Sequence, residues 1–551
     1  MHNAVCFFFH YVFCILNSAF CITQKEVFQM DMFIKFGMLI VFFAVMLGTG
    51  FYCRAKSTDV DGFVLGGRSV GPWLTAFAYG TSYFSAVVFV GYAGQFGWKY
   101  GIAATWAGIG NAIIGSLMAW AILGRRTRVM TQHLDSATMP QFFESRFDSK
   151  GLKLASSAII FIFLIPYTAS LYNGLSRLFG MAFDIDYSAC VIVMAILTGI
   201  YVIVGGYMAT AINDFIQGVI MLFGIVAVIW AVLKGYGGLM GAMEELAKVS
   251  DPAVSSAPGV FSSFLGPDPI NLAGVVLLTS LGTWGLPQMV QKFYAIRSEK
   301  AINKGMIIST IFALVVAGGC YFLGGFGRLY GDRIDLARDG FDAMIPAMLS
   351  DLSPILISVV VILVLSASMS TLSSLVLTSS STLTLDFIKG TLVKELSQKK
   401  QLLIIRLLIA VFIAISVVIA IVQYKSNVTF IAQLMGISWG ALAGAFLAPF
   451  LFGLYWKRAT VASVWCSFGF STAVMLANML WKPLFPALLQ SPINAGVFCM
   501  IAGLIIVPAV SLFTKAPKAE HIRHVFSCYD TKVVVPVTEA IGEPISKEEN
   551  K

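Results

Sequence analysis

The sequence is poor in charged residues. They make up 12% of its 551 positions, whereas hydrophobic residues make up 58%, and an ordinary soluble domain carries about 25% charged residues. So little charge cannot cover the surface of a soluble protein of this length. The net charge of +9 comes mainly from Lys and Arg in short loops between apolar runs, where they orient a membrane protein rather than bind nucleic acid. The composition therefore indicates a polytopic membrane protein.

The sequence also lacks the motifs of metal and acid–base catalysis. Its nine cysteines form no CxxC pair and mostly lie in or beside apolar runs, so we expect them to pack as small hydrophobic side chains. It has no HExxH motif, and none of its five histidines lies in a predicted membrane helix. The acids nearest the membrane core, Asp214 and Asp386, fall at predicted helix ends. We therefore expect neither an enzyme nor a proton relay through the membrane.

Apolar runs of about 20 residues, the length that crosses a bilayer core, predict an all-α protein with about thirteen core helices. They are 33–52, 72–96, 103–124, 153–175, 187–205, 210–233, 272–294, 305–327, 355–385, 402–424, 428–455, 460–480 and 491–513. Basic residues collect on one side of this arrangement, as at Arg125, Arg126 and Arg128, and the positive-inside rule places that side in the cytoplasm. We expect a multi-pass protein of the plasma membrane whose carboxyl terminus is cytoplasmic.

The chain divides into three parts. Residues 1–30 contain an apolar stretch without the basic n-region of a signal peptide, so this part is either an extra membrane helix or an extension before a later start. Residues 31–513 form the transmembrane domain, and residues 514–551 form a charged cytoplasmic tail. The longer polar loops fall on the outer side, and no segment is large enough for an appended catalytic domain.

The ninth predicted helix is rich in hydroxyl groups. More than half of the residues between Ser366 and Thr384 are Ser or Thr. Hydroxyls and freed backbone carbonyls are oxygen ligands of the kind that hard cations prefer. Ala367, Ser370 and Thr371 stand at i, i+3 and i+4, and so share one helix face. The alternative is that these hydroxyls bond to carbonyls of their own helix and hold helices together.

Two predicted helices carry residues that interrupt a helix in mid-span. Gly80 lies among small polar residues in the second helix, and Gly282, Gly285 and Pro287 lie together in the seventh. Irregular backbone at membrane depth occurs where it lines a cavity or is buried in protein. Broken helices at corresponding places of two inverted repeats mark a binding site. The two helices are five apart, as a five-plus-five repeat beginning at the second helix requires.

Four segments resemble the sodium:solute symporter family, which includes the bacterial sodium/pantothenate and sodium/proline symporters. They are FVLGGRSVGPW at 63–73, GGYMATAINDFIQG at 205–218, GLPQ at 285–288 and ASMSTLSS at 367–374. The resemblance implies the inverted-repeat fold of the leucine transporter, with one helix before the repeats and two after them. It also implies that sodium is the transported coupling ion.

The resemblance implies a sodium site between the first and eighth helices of the repeats, which are the second and ninth predicted core helices. Its ligands would be the backbone carbonyls of Thr81, Phe84 and Ala367 and the hydroxyls of Ser370 and Thr371. It further gives Asp214, with Gln217 on the same polar stripe, a gating or ion-release role. The alternative for Asp214 is a carboxylate favoured by the dipole at a helix start.

The solute is predicted less directly. Tyr83 stands where the proline carriers have an aspartate, and Thr279 and Thr283 stand where they have aromatic residues. We therefore favour a small organic acid of the pantothenate type, with an amino acid such as proline next. The residues predicted to contact the solute are Gly80, Tyr83, Ser85, Gln95, Thr279, Thr283 and Trp284.

The function predicted from these features is sodium-coupled symport of a small organic solute by alternating access. The partners would be the solute, sodium and the bilayer, with no nucleic acid and no obligate protein partner. A sodium-independent or proton-coupled carrier, or a solute sensor on the same fold, is the alternative. Either would be recognised by transport or binding that is indifferent to sodium.

Overall fold

A computed structural model describes residues 33–530 apart from short gaps at 184–185, 256–257, 337–339, 390–391, 394 and 427–430. The described residues are helical, with isolated β-bridges and no strand. The predicted helix within residues 1–30 lies outside the described residues, as does the tail beyond 530.

Twenty α-helices are numbered here in chain order. They are α1 Phe33–Cys53, α2 Val60–Leu65, α3 Pro72–Tyr83, α4 Ala93–Tyr100, α5 Thr105–Gly110, α6 Arg125–His133, α7 Met139–Phe147, α8 Lys150–Phe183, α9 Tyr187–Lys234, α10 Leu239–Lys248, α11 Pro269–Leu281, α12 Pro287–Ala295, α13 Glu299–Gly324, α14 Met344–Leu349, α15 Pro354–Thr382, α16 Gln398–Ser426, α17 Ile431–Tyr455, α18 Val461–Leu480, α19 Pro492–Phe513 and α20 Ala519–Phe526. Short π-helical segments continue several of them, at Val87–Tyr92, Asn111–Met118, Trp120–Gly124 and Leu383–Ile388.

Ten helical stretches among the described residues are long and apolar enough to cross a membrane, and the bent pair α11 and α12 makes an eleventh. Two of the ten are much longer than a single crossing needs. The stretch Val87–His133 has 47 residues and α9 has 48, which is about 70 Å at 1.5 Å per residue, against a bilayer core of about 30 Å. Both are interrupted at a glycine with positive φ, Gly101 and Gly206. The predicted number of thirteen core helices stays a prediction.

The hydroxyl-rich helix α15 lies in the interior. The membrane-length stretches differ in the share of their apolar part that is buried inside the protein. This share is 89% for α17 and 78% for the stretch that contains α15, and it is at most 61% for the other described stretches. Lipid cannot hydrogen-bond to hydroxyl groups, so a helix with this many Ser and Thr residues is favoured inside the protein. By contrast α1, at 28%, lies at the edge.

The carboxyl-terminal helix α20 docks where α6, α7 and α17 end. We call this the tail side of the protein. Arg146 of α7 donates hydrogen bonds to the carbonyls of Gly453 (2.8 Å) and Trp456 (2.9 Å), and its guanidinium lies 5.0 Å from the ring of Phe526. Burial lowers the pKa of Arg146 to about 10, so the side chain remains charged near neutral pH. The Arg126 guanidinium lies between the rings of Tyr455 and Tyr529, 4.2 and 4.5 Å from their centroids.

Replacing Arg146 tests whether this cluster fixes the tail side. Arg146→Ala removes two charged hydrogen bonds from a buried position, which costs about 2–3 kcal/mol, and we expect the melting temperature in detergent to fall by several degrees. Arg146→Lys keeps the charge without the planar fork and should be intermediate. Arg333→Ala, which removes an exposed arginine paired with Asp351, is the control. Equal stability of the two alanine variants would contradict the assignment.

Candidate functional site

The second predicted core helix is broken in the structure. Its first half, α3, ends at Tyr83, and Phe84 has extended backbone angles (φ −86°, ψ 121°). The helix restarts because the amide of Val87 donates to the Ser85 hydroxyl (3.2 Å) and the amide of Val88 donates to the Ser85 carbonyl (3.0 Å). The last carbonyls of a helix have no partner within it. The break thus leaves carbonyl oxygens at the end of α3 free to meet another element.

The element that meets them is α15. The Ser370 hydroxyl lies 3.1 Å from the carbonyl oxygen of Thr81 and 3.0 Å from that of Ala367. The Thr371 hydroxyl lies 3.1, 3.2 and 3.1 Å from the carbonyl oxygens of Thr81, Phe84 and Ala367. All five residues are fully buried. The structure therefore brings together the complete set of oxygens that the family resemblance implied.

The spacing of these oxygens suits a small hard cation. Two hydroxyl groups have two hydrogens to donate, yet they make five short contacts with carbonyl oxygens. Hard cations bind oxygen at about 2.3–2.6 Å, as calcium does, and neighbouring oxygens around such an ion are then roughly 3–3.5 Å apart. Elsewhere in the described residues, no three His, Cys, Asp or Glu side chains form a metal-binding group. The donor set fits sodium better than a transition metal.

A chain of polar side chains continues from this cluster towards the tail side. The Ser82 and Ser374 hydroxyls lie 2.9 Å apart, and Lys292 of α12 donates to Ser374 at 3.0 Å. The Lys292 ammonium lies 3.9 Å from a carboxylate oxygen of Asp214. Both charged side chains are buried, at 2% and 0% exposure.

The expectation that Asp214 falls at a helix end is wrong. That expectation began a new helix at residue 210, but α9 runs unbroken through 207–234 after its interruption at Gly206, so Asp214 lies two turns inside it. Gln217 donates to the sulfur of Met46 at 3.2 Å. Asp386 is likewise buried, where it accepts hydrogen bonds from Thr138 and Gln141.

Lys292 was missed in the sequence, although a signal for it existed. It lies inside the predicted span 272–294, and an ionisable residue within a membrane span is a functional candidate by default.

Four of the seven predicted solute contacts belong to the broken second predicted helix. A Cβ added to Gly80 would lie 2.4 Å from the ring of Phe312, so this glycine permits close packing of α3 on α13. Ser85 restarts its helix, and Gln95 is buried with no partner for its carbonyl oxygen among the described residues. The side chain of Tyr83 lies outside what the structure describes.

The three candidates on the seventh predicted helix are engaged elsewhere. Thr279 donates to the carbonyl of Val275 in its own helix (2.9 Å). Thr283 donates to the carbonyl of Gly115 (3.1 Å), and the indole of Trp284 donates to that of Ile114 (3.0 Å), both within the π-helical segment Asn111–Met118. Their contact with solute stays a prediction.

Two aromatic residues beside the breaks were not predicted. The rings of Tyr167 and Trp439 meet edge to face, with centroids 5.9 Å apart. Trp439 packs against Gly282 at the second break, and the Tyr167 hydroxyl lies close to Ser85 at the first. The Tyr167 hydroxyl also lies close to the Trp439 indole, but neither group makes a hydrogen bond of ordinary geometry in the described part of the chain. The sequence signal was Pro166, which interrupts the hydrogen bonding of α8 in mid-span.

The chain belongs to the sodium:solute symporter family, whose model matches residues 63–466. It is 30% identical over 499 residues to a sodium/proline symporter of Staphylococcus aureus strain JH9, a match that covers 88% of this chain and 93% of that protein. Its fold is similar to that of a Na⁺-coupled sialic acid symporter in a substrate-bound outward-open state, with a TM-score of 0.72, 18% identity, and coverage of 88% and 98% of the two chains. These are transporters and not enzymes. The chain is a multi-pass membrane symporter, and sodium is its coupling ion.

Removing one hydroxyl of the cluster should weaken sodium binding. We expect Thr371→Ala to raise the sodium concentration for half-maximal transport roughly tenfold, because a buried hydrogen-bonding group is worth about 1–3 kcal/mol. Thr371→Ser keeps the hydroxyl and should restore most of the affinity.

The control is Thr384→Ala, which removes an equally buried threonine hydroxyl that donates to the carbonyl of Ser380 in the same helix. Unchanged sodium dependence in folded Thr371→Ala would contradict the site.

Proposed function

We propose that the chain carries a small organic solute with sodium by alternating access. We also propose that sodium binds at the five-oxygen cluster, which consists of the carbonyl oxygens of Thr81, Phe84 and Ala367 and the hydroxyl oxygens of Ser370 and Thr371. The proposal rests on one observation above all. The carbonyls freed by the break in α3 meet two hydroxyls of α15, so that an ion between them would join two elements that are distant in sequence. Sodium binding would then order the break, and the solute pocket beside it, before the carrier switches from its outward-open to its inward-open state.

The two breaks support a five-plus-five inverted repeat. Phe84 and Leu286 interrupt the second and seventh of the thirteen proposed core helices with almost the same backbone angles, φ −86° and ψ 121° at Phe84 and φ −84° and ψ 122° at Leu286. Each break is followed by a helical segment that begins near mid-span. Matching breaks at the start of two repeats are the arrangement in which transporters bind ion and solute.

The tail side is proposed to face the cytoplasm. Arg125, Arg126 and Arg128 lie in the first turn of α6, and Arg126 packs on the ring of Tyr529, which follows the docked helix α20. An excess of Arg and Lys in short loops marks the cytoplasmic side of a membrane protein. Sodium would then enter from the opposite side and leave past Ser374, Lys292 and Asp214.

The solute is proposed to carry a carboxylate. The Tyr167 hydroxyl and the Trp439 indole beside the breaks make no hydrogen bond of ordinary geometry in the described part of the chain, and both are neutral hydrogen-bond donors. The helix that restarts after Phe84 presents its amino-terminal end to the same region, and such ends favour anions. A pantothenate-type acid is favoured because Tyr83 replaces the aspartate of the proline carriers. Proline is the second candidate, since the relative from Staphylococcus aureus is named a proline symporter.

A single sodium ion supplies enough free energy for accumulation. Moving one charge through ~100 mV yields about 2.3 kcal/mol, and a tenfold sodium gradient adds roughly 1.4 kcal/mol. Together these sustain a gradient of up to about 500-fold for a solute without net charge, such as zwitterionic proline. For a carboxylate anion of the pantothenate type, the charges of ion and solute cancel, so the sodium gradient alone sustains about a tenfold gradient. One sodium ion is sufficient for accumulation in both cases.

Uptake into proteoliposomes tests the function and the solute together. We expect radiolabelled pantothenate or proline to accumulate when sodium is outside, and not when potassium replaces it. Accumulation that is indifferent to sodium but driven by a proton gradient would overturn sodium coupling. Failure of both solutes with retained sodium binding would overturn only the solute assignment.

Trp439 is expected to contribute to solute binding without contributing to sodium binding. Trp439→Phe keeps an aromatic ring and loses one hydrogen-bond donor, so the KM for solute should rise about fivefold, the equivalent of roughly 1 kcal/mol. Half-saturating sodium should change little. The matched control is Trp465→Phe at a partly exposed position on α18. An unchanged KM in the Trp439 variant would remove this residue from the solute site.

A further inference from the structure

The third predicted core helix contains a π-helical segment, Asn111–Met118, that contacts both broken helices. A second π-helical turn, Trp120–Gly124, follows almost at once. Such turns are rare in proteins and are frequent at functional sites. A π-helical segment that touches the sodium side and the solute side of the protein therefore calls for a functional explanation.

The first broken helix reaches this segment through Tyr79. The Tyr79 hydroxyl donates to the carbonyl of Gly115 at 2.8 Å, and the side chain is buried. Tyr79 lies within one helical turn of Thr81, whose carbonyl oxygen belongs to the five-oxygen cluster. The end of α3 is thus in contact with α15 through Thr81 and with the π-helical segment through Tyr79.

The second break reaches the same carbonyl. The Thr283 hydroxyl lies 3.1 Å from the carbonyl oxygen of Gly115 and close to the Tyr79 hydroxyl. A backbone carbonyl oxygen has two lone pairs, so it can accept from both hydroxyls. The indole of Trp284 donates to the adjacent carbonyl of Ile114 at 3.0 Å. Thr283 and Trp284 form the middle of the 3₁₀ turn that leads into the second break, so this turn is positioned by the π-helical segment.

The packing around the shared carbonyl leaves little room for independent movement. A Cβ added to Gly115 would lie 3.3 Å from the carbonyl oxygen of Ser280, so α11 lies directly against the backbone of the segment. The rings of Tyr79, Trp120 and Phe293 meet with centroids 5.1–5.5 Å apart, and all three are buried. Phe293 lies on α12, after the second break. Close-packed interiors transmit displacements between their elements.

We propose that Tyr79 is a positioning residue that transmits the order of the first break to the second. Sodium at the five-oxygen cluster fixes the end of α3 and with it the Tyr79 hydroxyl. That hydroxyl holds the Gly115 carbonyl on which Thr283 is positioned. The inference rests on the proposed sodium site and adds the route by which sodium binding prepares the solute pocket, since coupling between two sites requires an element that both of them bias.

A different connection between the broken helices runs on the tail side, through Ser82, Ser374 and Lys292. It joins the end of α3 to α12, and not to the 3₁₀ turn Gly282–Gly285 that precedes the second break. Removing the Tyr79 hydroxyl leaves this connection intact, so the two routes can be separated.

Hydrogen–deuterium exchange of the purified protein in sodium or potassium chloride tests the proposal without a solute. We expect sodium to slow amide exchange in peptides that cover the first break, residues 81–88, and the second, residues 282–290, because exchange reports local opening. Tyr79→Phe keeps the ring and removes the hydroxyl. In this variant the sodium effect should remain at the first break and be lost at the second.

Two further variants complete the experiment. Thr283→Val removes the other hydroxyl from the shared carbonyl and should give the same pattern as Tyr79→Phe. The matched control is Tyr236→Phe, which removes a tyrosine hydroxyl that donates to the carbonyl of Leu329, outside the broken helices. It should retain the sodium effect at both breaks.

The outcomes separate this inference from the proposed function. A sodium effect at the second break that persists in folded Tyr79→Phe, or loss of the effect at both breaks in that variant, would overturn the role of Tyr79. So would a sodium effect confined to the first break in the unmodified protein. No sodium effect at either break in the unmodified protein would instead overturn the proposed sodium site. If Tyr79→Phe fails to fold, Thr283→Val decides, because it breaks the same link from the other end.

Discussion

The contact between the interrupted end of α3 and the hydroxyl face of α15 is the interaction on which the arrangement depends. Within a bilayer, backbone carbonyls must find partners inside the protein. The break at Phe84 leaves carbonyls without helical partners, and Ser370 and Thr371 meet them at 3.1–3.2 Å. Two hydroxyls cannot satisfy this many acceptors, and the sodium ion proposed here would complete the contact. Under this proposal, the order of the break depends on sodium.

The charge beside this contact is balanced within the protein. Lys292 lies on the half-helix after the second break. Its hydrogen bond to Ser374, and that between Ser374 and Ser82, connect this half-helix to the end of α3 at the first break. A movement of α12 would displace the ammonium from Asp214 and alter the field at the sodium site. Ion release and the rearrangement of the tail side are coupled by electrostatics in this account.

The sequence was sufficient for local features and insufficient for contacts between distant segments. The i, i+3, i+4 spacing placed Ala367, Ser370 and Thr371 on one face. The breakers predicted that both helices are broken, but α3 continues through Gly80 and its break lies at Phe84. Asp214 was placed too near the surface, because an apolar window cannot show that α9 resumes at Tyr207, directly after Gly206. The partner of Asp214 comes from a segment almost 80 residues away, and pairing over such a distance leaves no periodic pattern.

The most direct test of the sodium site is the thermal stability of the purified protein in sodium, potassium and choline chloride. A ligand that binds only the native state stabilises it by RT ln(1 + [L]/Kd). The account predicts that sodium alone raises the melting temperature, that Ser370→Ala abolishes the rise, and that Ser381→Ala, which removes a hydroxyl bonded within α15, retains it. Equal melting temperatures in the three salts, or a full sodium effect in Ser370→Ala, would contradict it.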